Sequence, residues 1–290
     1  MSASALPAPL VEVAWLAARL DDPSVVVADV RWSVEGGTSA AEAAFAGGHV
    51  PGAVFLDVDR DLAASPFVDG PGRHPLPPPE TFAATMRAVG IGDDSTVVAY
   101  DDTGGSLAAR LWWMLDATGR RAAMLNGGLP AWRRTRPVEA GPARVRPRAT
   151  FTARPWPPER IADASDVAET IDRDGAVIDV RAGERFRGET EPLDPIAGHI
   201  PGARNLPWAD HLDPATGLFL PAEALRERYA SIGVHRADDT IVHCGSGVTG
   251  CLGLLALRVA GLGDAKLYQG SWSDWVHDPA RPVASGLTGG

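Results

Sequence analysis

Two hexapeptides of one pattern, Gly48-His49-Val50-Pro51-Gly52-Ala53 and Gly198-His199-Ile200-Pro201-Gly202-Ala203, stand 150 residues apart in this chain. An apolar run ending in Asp-Val-Arg precedes each copy, at Asp29-Val30-Arg31 and Asp179-Val180-Arg181, with the same offset. Further on, Val97-Val98-Ala99-Tyr100-Asp101 answers Thr240-Ile241-Val242-His243-Cys244, and Asn126-Gly127 through Trp132 answers Gln269-Gly270 through Trp275, both now 143 residues apart. Four matches in one order mean a duplicated domain. At 290 residues and 45% hydrophobic content the chain has apolar material for two cores.

Residues 136–158 are rich in Pro and Arg and lack apolar periodicity, so the join falls there. The expected limits are a first domain over 1–136, a linker over 137–158 and a second domain over 159–290. Arg144, Arg146, Arg148 and Arg154 in the linker read as a solvated stretch rather than a nucleic-acid patch, because the chain carries a net charge of −10. Within each half, short β-branched runs (25–30 and 96–100; 176–180 and 240–243) alternate with helical patterns (79–89 and 106–117; 221–232 and 249–260). That alternation predicts an α/β fold, two tandem domains each with a parallel sheet covered by helices on both faces.

Only two cysteines occur, Cys244 and Cys251, and no Cys/His cluster has zinc spacing. A reducing compartment and no structural metal follow as expectations. Residues 1–20 lack the basic start and continuous apolar stretch of a signal peptide, and the apolar run 251–262 is short and broken by Arg258. The reading is a cytoplasmic protein with no membrane and no nucleic-acid partner.

The segment 240–252 reads as a buried-type strand, a Gly-rich turn and an apolar helix. It puts Cys244 at the carboxyl end of a strand, the edge where open α/β sheets bind ligands. Gly245, Gly247 and Gly250 let the following turn curl its N–H groups inward, and the helix N-terminus adds partial positive charge. Such a nest stabilises a thiolate: a free thiol has a pKa of about 8.5, and helix N-termini lower it to roughly 3.5–7.5. Cys251 belongs to the apolar helix with Leu254, Leu255 and Val259 and reads as core.

Other anion loops fail on missing parts. A P-loop needs lysine after the second glycine, where Cys251 stands. A Cys-x5-Arg phosphatase loop needs arginine at Gly250, and the hydrolase elbow Gly-x-Ser-x-Gly fails because Cys244 precedes Ser246 by two. Asp102-Thr103-Gly104 resembles an aspartic-protease triplet without a second copy. The repeat sets Asp101 opposite Cys244, so the first loop reads as a degenerate, non-catalytic copy.

The tandem halves, the paired Gly-His-x-Pro-Gly-Ala motifs and the loop Cys244-Gly245-Ser246-Gly247-Val248-Thr249 resemble the two-domain rhodanese family of sulfurtransferases over nearly the whole chain. Within it the loop resembles that of 3-mercaptopyruvate sulfurtransferases, whereas thiosulfate sulfurtransferases usually show basic residues just after the cysteine. The resemblance implies an active site at the interface of the halves, with the nucleophile in the second. Carried over to this sequence, it implies catalytic roles for Cys244, Ser246, His74 and Asp57. It implies donor binding by Arg185 and by the loop residues Gly245, Gly247, Val248, Thr249 and Gly250. No metal or organic cofactor is implied. The partners implied are a small-molecule sulfur donor and a thiol acceptor, such as a reduced protein thiol, or cyanide.

Arg31, Arg181, His49 and His199 recur in both halves and read as fold residues. Trp208, Trp272 and Trp275 suit a pocket wall or aromatic core. One departure concerns the donor: a second arginine often found in a Pro-Glu-Pro-Arg step is missing from Thr190-Glu191-Pro192-Leu193-Asp194-Pro195. A charge-assisted hydrogen bond is worth about 1.5–3 kcal/mol, and Arg187 is the nearest replacement in sequence. Ser246 with His74 and Asp57 forms a proton relay suited to an enolate leaving group, which leans the donor to 3-mercaptopyruvate. Thiosulfate is the alternative donor, and a rhodanese-like interaction domain without catalysis is the rival from another class.

Overall fold

All seven residues of the strand Val25–Arg31 are buried, as a strand covered on both faces requires. The computed structural model describes residues 9–33, 35–68 and 71–286. The chain divides into two units. The first takes residues up to Ala64, Pro77–Trp156 and Ala215–Leu218; the second takes Ser65–Leu76, Pro157–Pro214 and everything from Phe219 onward. Residues 65–76 thus lie in the first half of the sequence but pack with the second unit.

The first unit runs β1 (Leu10–Val11), α1 (Val13–Ala17), β2 (Val25–Arg31), α2 (Gly37–Ala46), β3 (Val54–Asp57), α3 (Val58–Asp61), α4 (Pro79–Ala88), β4 (Thr96–Tyr100), α5 (Ala108–Ala117), β5 (Arg121–Leu125) and α6 (Gly128–Arg133). Its strands form one sheet in the order β1-β5-β4-β2-β3, every pairing parallel. The second unit repeats the plan with β6 (Ile161–Ala162), α7 (Ala164–Asp172), β7 (Ala176–Asp179), α8 (Gly183–Phe186), β8 (Arg204–Asn205), α9 (Ala222–Ser231), β9 (Thr240–His243), α10 (Gly250–Val259), β10 (Lys266–Tyr268) and α11 (Ser271–Trp275). Its sheet order is β6-β10-β9-β7-β8, again all parallel. The chain leaves β7 for β8 on one side and returns with β9 on the other. The carboxyl ends of β7 and β9 therefore flank the switch point, where a crevice opens in sheets of this kind.

The repeated motifs form one buried device in each unit. Arg31 Nε donates to Asp29 Oδ1 at 2.7 Å and its Nη2 to Asp29 Oδ2 at 2.9 Å and to the Gly48 carbonyl at 3.0 Å. Arg181 Nη2 donates to Asp179 Oδ2 at 2.6 Å and to the Gly198 carbonyl at 2.7 Å. His49 stacks on Phe45 and His199 on Phe186, each with ring centroids 3.8 Å apart. Both imidazoles turn Nδ1 to the carbonyl of that phenylalanine, at 3.0 and 2.7 Å. All four residues act on the fold, as their recurrence in both halves predicts.

The Pro/Arg-rich stretch is mostly exposed, Arg144, Arg148 and Arg154 included, and it is also anchored to the first unit. Phe151 is buried, with the Arg120 guanidinium 4.2 Å above its ring, and Trp156 Nε1 donates to the Pro77 carbonyl at 2.8 Å. Arg146 and Arg154 donate to the carbonyls of Pro23 and Thr118. Two aromatic anchors and backbone acceptors dock a segment that has no periodicity to reveal it.

Among the described residues no helix is long and apolar enough to cross a membrane.

Two measurements follow. Replacing Arg31 by Met strands a buried Asp29 carboxylate, and loss of one partner of such a pair costs about 3–5 kcal/mol. Urea unfolding should show a loss of that order. His211 is fully buried against Tyr229, and burial pushes its pKa down from 6.5 to about 4. The unfolded chain takes up its proton first, so His211 favours the folded state fully above pH 6.5 and progressively less as pH falls toward 4. Its share of the loss between pH 7 and pH 5 is about 2 kcal/mol. The unfolding free energy of a His211→Gln variant should fall less steeply across that window than that of the wild type.

Candidate active site

β9 ends at His243, which is in register with Asp179 of β7, and Cys244 opens the turn between β9 and α10. Gly247 sits at φ +79°, and a Cβ there would lie 2.2 Å from the Gln269 carbonyl oxygen, so only glycine closes this turn. The start of α11 clamps the Cys244 backbone. Cys244 N donates to Ser271 Oγ at 3.2 Å, Trp272 N to the Cys244 carbonyl at 3.0 Å and Ser273 N to the Gly245 carbonyl at 2.9 Å. Ser271 holds φ +54°, a strained conformation for a non-glycine residue that its bonds to Cys244 N and the Tyr268 carbonyl maintain. Ser271 lies inside the repeated 269–275 motif, where its counterpart in the first unit is Gly128 at φ +55°.

Cys244 is 3% exposed, enclosed but at the sheet edge. Two residues on, Ser246 Oγ lies 2.6 Å from His74 Nδ1, and the two buried side chains share one hydrogen bond. His74 comes from the 65–76 segment, so its approach to Ser246 depends on that segment packing in the second unit.

Three arginines and three carboxylates surround the loop. Arg181 donates to Asp179 and Glu191 and stacks 4.6 Å above the Trp272 ring. Burial works against its charge, but Asp179, Glu191 and Cys244 outweigh burial and raise its pKa. Burial likewise pushes the Asp179 carboxyl up, and Arg181 with His243 overcomes that to hold it below the ordinary carboxylate range. Burial pushes the pKa of the His243 imidazole down, and its Nδ1 is directed to the Cys244 carbonyl at 3.2 Å. Arg185 pairs with Glu191, through Nε at 3.1 Å and Nη2 at 2.5 Å, and Nη2 lies 3.7 Å from Asp194 Oδ2. Its partners are thus Glu191 and Asp194, while Asp179 is taken by Arg181. Asp194 also binds Arg73 Nη1, and burial raises its pKa.

Arg73 had no place in the sequence reading. A Cβ placed on Gly245 would be 3.1 Å from Arg73 Nη2 and 3.4 Å from Arg185 Nη2, so two guanidinium groups lie over the residue that follows Cys244. Arg187, the replacement nearest in sequence for the missing arginine, is instead partly exposed and bound to Glu189 at 2.7 Å. Among the tryptophans, Trp272 and Trp275 are core, donating to the carbonyls of Ile196 and Pro282, and Trp208 is half-buried. Cys251 is fully buried in α10 with Sγ 3.4 Å from the Gly247 carbonyl. Asp57 lies in the first unit, where Oδ1 caps α3 by accepting from Arg60 N at 2.9 Å. Its buried Oδ2 has no hydrogen-bond partner among the described residues.

Asp101 in the first unit stands where the second has Cys244. Its carboxylate accepts four backbone N–H bonds of 2.7–2.9 Å, from Thr103, Gly105, Leu107 and Ala108. The turn is a built anion cradle already filled by its own side chain.

The model of the rhodanese-like domain matches twice, over residues 12–135 and 163–278. A Pseudomonas aeruginosa protein provisionally named a 3-mercaptopyruvate sulfurtransferase is 43% identical over 276 residues, covering 93% of this chain and 96% of that protein. A Mycobacterium tuberculosis protein, SseB, provisionally named a thiosulfate sulfurtransferase, is 40% identical over 271 residues, covering 91% and 92%. The crystal structure of SseA from Escherichia coli, a 3-mercaptopyruvate sulfotransferase, superposes with a TM-score of 0.78 at 36% identity, covering 92% of this chain and 99% of that one. With both halves matched and these relatives aligned nearly end to end, the chain belongs to the rhodanese family and carries two rhodanese-like domains in tandem.

Proposed function

We propose that the protein moves a sulfane sulfur from 3-mercaptopyruvate, through a persulfide on Cys244, to a thiol or to cyanide. The observation that carries this reading is the loop that follows β9: a cysteine at the sheet's switch point, two residues from a serine bonded to a histidine at 2.6 Å. The Cys244 thiolate attacks the donor sulfur. The carbon–sulfur bond breaks, its electron pair goes to pyruvate enolate, and a proton converts that enolate to pyruvate. An acceptor thiolate then attacks the outer sulfur of the persulfide and releases the Cys244 thiolate; cyanide leaves as thiocyanate. Sulfur is oxidised to the sulfane level as carbon is reduced, so no external oxidant enters. Turnover needs Cys244 reduced between cycles, which suits a cytoplasmic setting.

Within this reading Ser246 Oγ, relayed by His74, supplies the proton or the hydrogen bond that the enolate needs. Arg185 with Gly245, Gly247, Val248, Thr249 and Gly250 forms the donor-binding wall. Thiosulfate is the second reading. It is favoured by the guanidinium groups over Gly245, since thiosulfate expels anionic sulfite, and by the Mycobacterium tuberculosis relative.

Intact-mass measurement after incubation with each donor tests the nucleophile. The wild type and Cys251→Ala should gain one sulfur atom, and Cys244→Ser none; the exchanged result would overturn the assignment. Steady-state kinetics test the donor. The expected outcome is a higher kcat on 3-mercaptopyruvate than on thiosulfate, with Ser246→Ala lowering the first by about a hundredfold. A wild type faster on thiosulfate would leave the second reading in place.

A further inference from the structure

We propose that Arg73 is a donor-binding residue, the second cation of a two-guanidinium anion subsite over Gly245, oriented there by Asp194. The inference rests on the sulfurtransferase reading for its substrate, an anionic sulfur donor, and on geometry for its place. Three observations converge on it. Gly72 at φ +75° brings the 65–76 segment against the start of α11, where a Cβ on Gly72 would be 2.5 Å from the Gly270 carbonyl, and Arg73 N donates to Ser273 Oγ at 3.1 Å. Ser273 N in turn bonds the Gly245 carbonyl, so Arg73 is tied to the catalytic loop through one residue.

The second observation is the absence of a side chain at position 245. A Cβ there would lie 3.1 Å from Arg73 Nη2 and 3.4–3.6 Å from the Arg185 Nη atoms, so glycine lets both guanidinium groups approach the residue beside Cys244 without crowding. The third is the partner set. Asp194 binds Arg73 through Oδ1 and approaches Arg185 with Oδ2 at 3.7 Å, and Glu191 fixes Arg185 through two of its nitrogens. Both guanidinium groups are held from behind by buried carboxylates, and about a fifth of each side chain stays exposed. Pre-organised guanidinium donors of this kind suit a carboxylate or sulfonate group.

Alkylation of Cys244 by iodoacetate and by neutral iodoacetamide tests the subsite, because the two reagents differ only in their charge and need no sulfur transfer. The ratio of the iodoacetate rate to the iodoacetamide rate should fall about tenfold in Arg73→Met and only partly in Arg73→Lys. The double variant Arg73→Met/Asp194→Asn strands no buried carboxylate and leaves the net charge unchanged, and it should show the same loss. In turnover, KM for 3-mercaptopyruvate and the competitive inhibition constant of pyruvate should rise by a similar factor, with KM for cyanide unmoved. An unchanged alkylation ratio in both the single and the double variant would overturn the proposal. A changed ratio in a protein that gains no sulfur from either donor would keep the anion subsite and overturn the sulfurtransferase reading instead.

Discussion

The buried pair between an aspartate and an arginine two residues later, at the end of β2 and again of β7, fixes most of what surrounds it. Each arginine has to satisfy a buried charge and several N–H donors. It does so by binding its aspartate with two nitrogens and reaching across to the carbonyl of the Gly-His turn. That bond holds the turn beside the sheet edge, and the histidine stacked on its phenylalanine then sets the turn against the preceding helix. A buried ion pair is a weak source of net stability because desolvation offsets attraction, but a misplaced one is expensive. The pair therefore specifies one arrangement of strand end, turn and helix. In the second unit that strand end forms one wall of the switch-point crevice, and Cys244 stands on the other.

The two copies of the turn after the fourth strand of each unit show how one backbone serves two ends. In the first unit the carboxylate of Asp101 draws four N–H groups inward, and burial raises its pKa against them. In the second, cysteine stands where the first has the carboxylate. Gly104 and Gly247, which correspond by the repeat, both take positive φ, +74° and +79°, and keep the curl in each copy. The clamp recurs as well: Leu129 N donates to the Asp101 carbonyl at 2.9 Å beside Gly128 at φ +55°, as Trp272 N donates to the Cys244 carbonyl at 3.0 Å beside Ser271 at φ +54°. The second unit adds a hydroxyl there, and Ser271 Oγ accepts from Cys244 N at 3.2 Å.

The duplication and the parallel sheets were legible because both depend on patterns local in sequence: β-branched runs, glycine turns and a repeated motif. Cys244 and the turn that frames it were legible for the same reason. Arg73 and the pair formed by Glu191 and Asp194 were not, since their importance comes from long-range packing, and 121 residues separate Arg73 from Asp194. Ser246 and His74 are 172 residues apart, and only the family resemblance suggested their meeting. Residues 65–76 look like a polar connection within the first half, and nothing in their composition announces that they pack with the second unit. The prolines and arginines around Phe151 do face solvent, and the one buried ring that anchors them carries no periodicity to announce it.

Position 245 links this hidden packing to chemistry. A loop that places a basic residue directly after the nucleophile carries its cation on its own backbone, and the charge moves with the loop. A loop with glycine there carries none, but it opens the space into which cations from other segments reach. Here the space is filled by Arg73 and Arg185, and each is anchored to a carboxylate with at most 3% of its side chain exposed. Charge held this way is fixed before a donor arrives, so little reorganisation is required as a leaving anion develops. A side chain at position 245 would press on Arg73 Nη2 at 3.1 Å and meet the Arg185 nitrogens at ordinary contact distance. A basic residue there would also bring a third cation beside two others, so the basic-loop and glycine arrangements compete through like-charge repulsion.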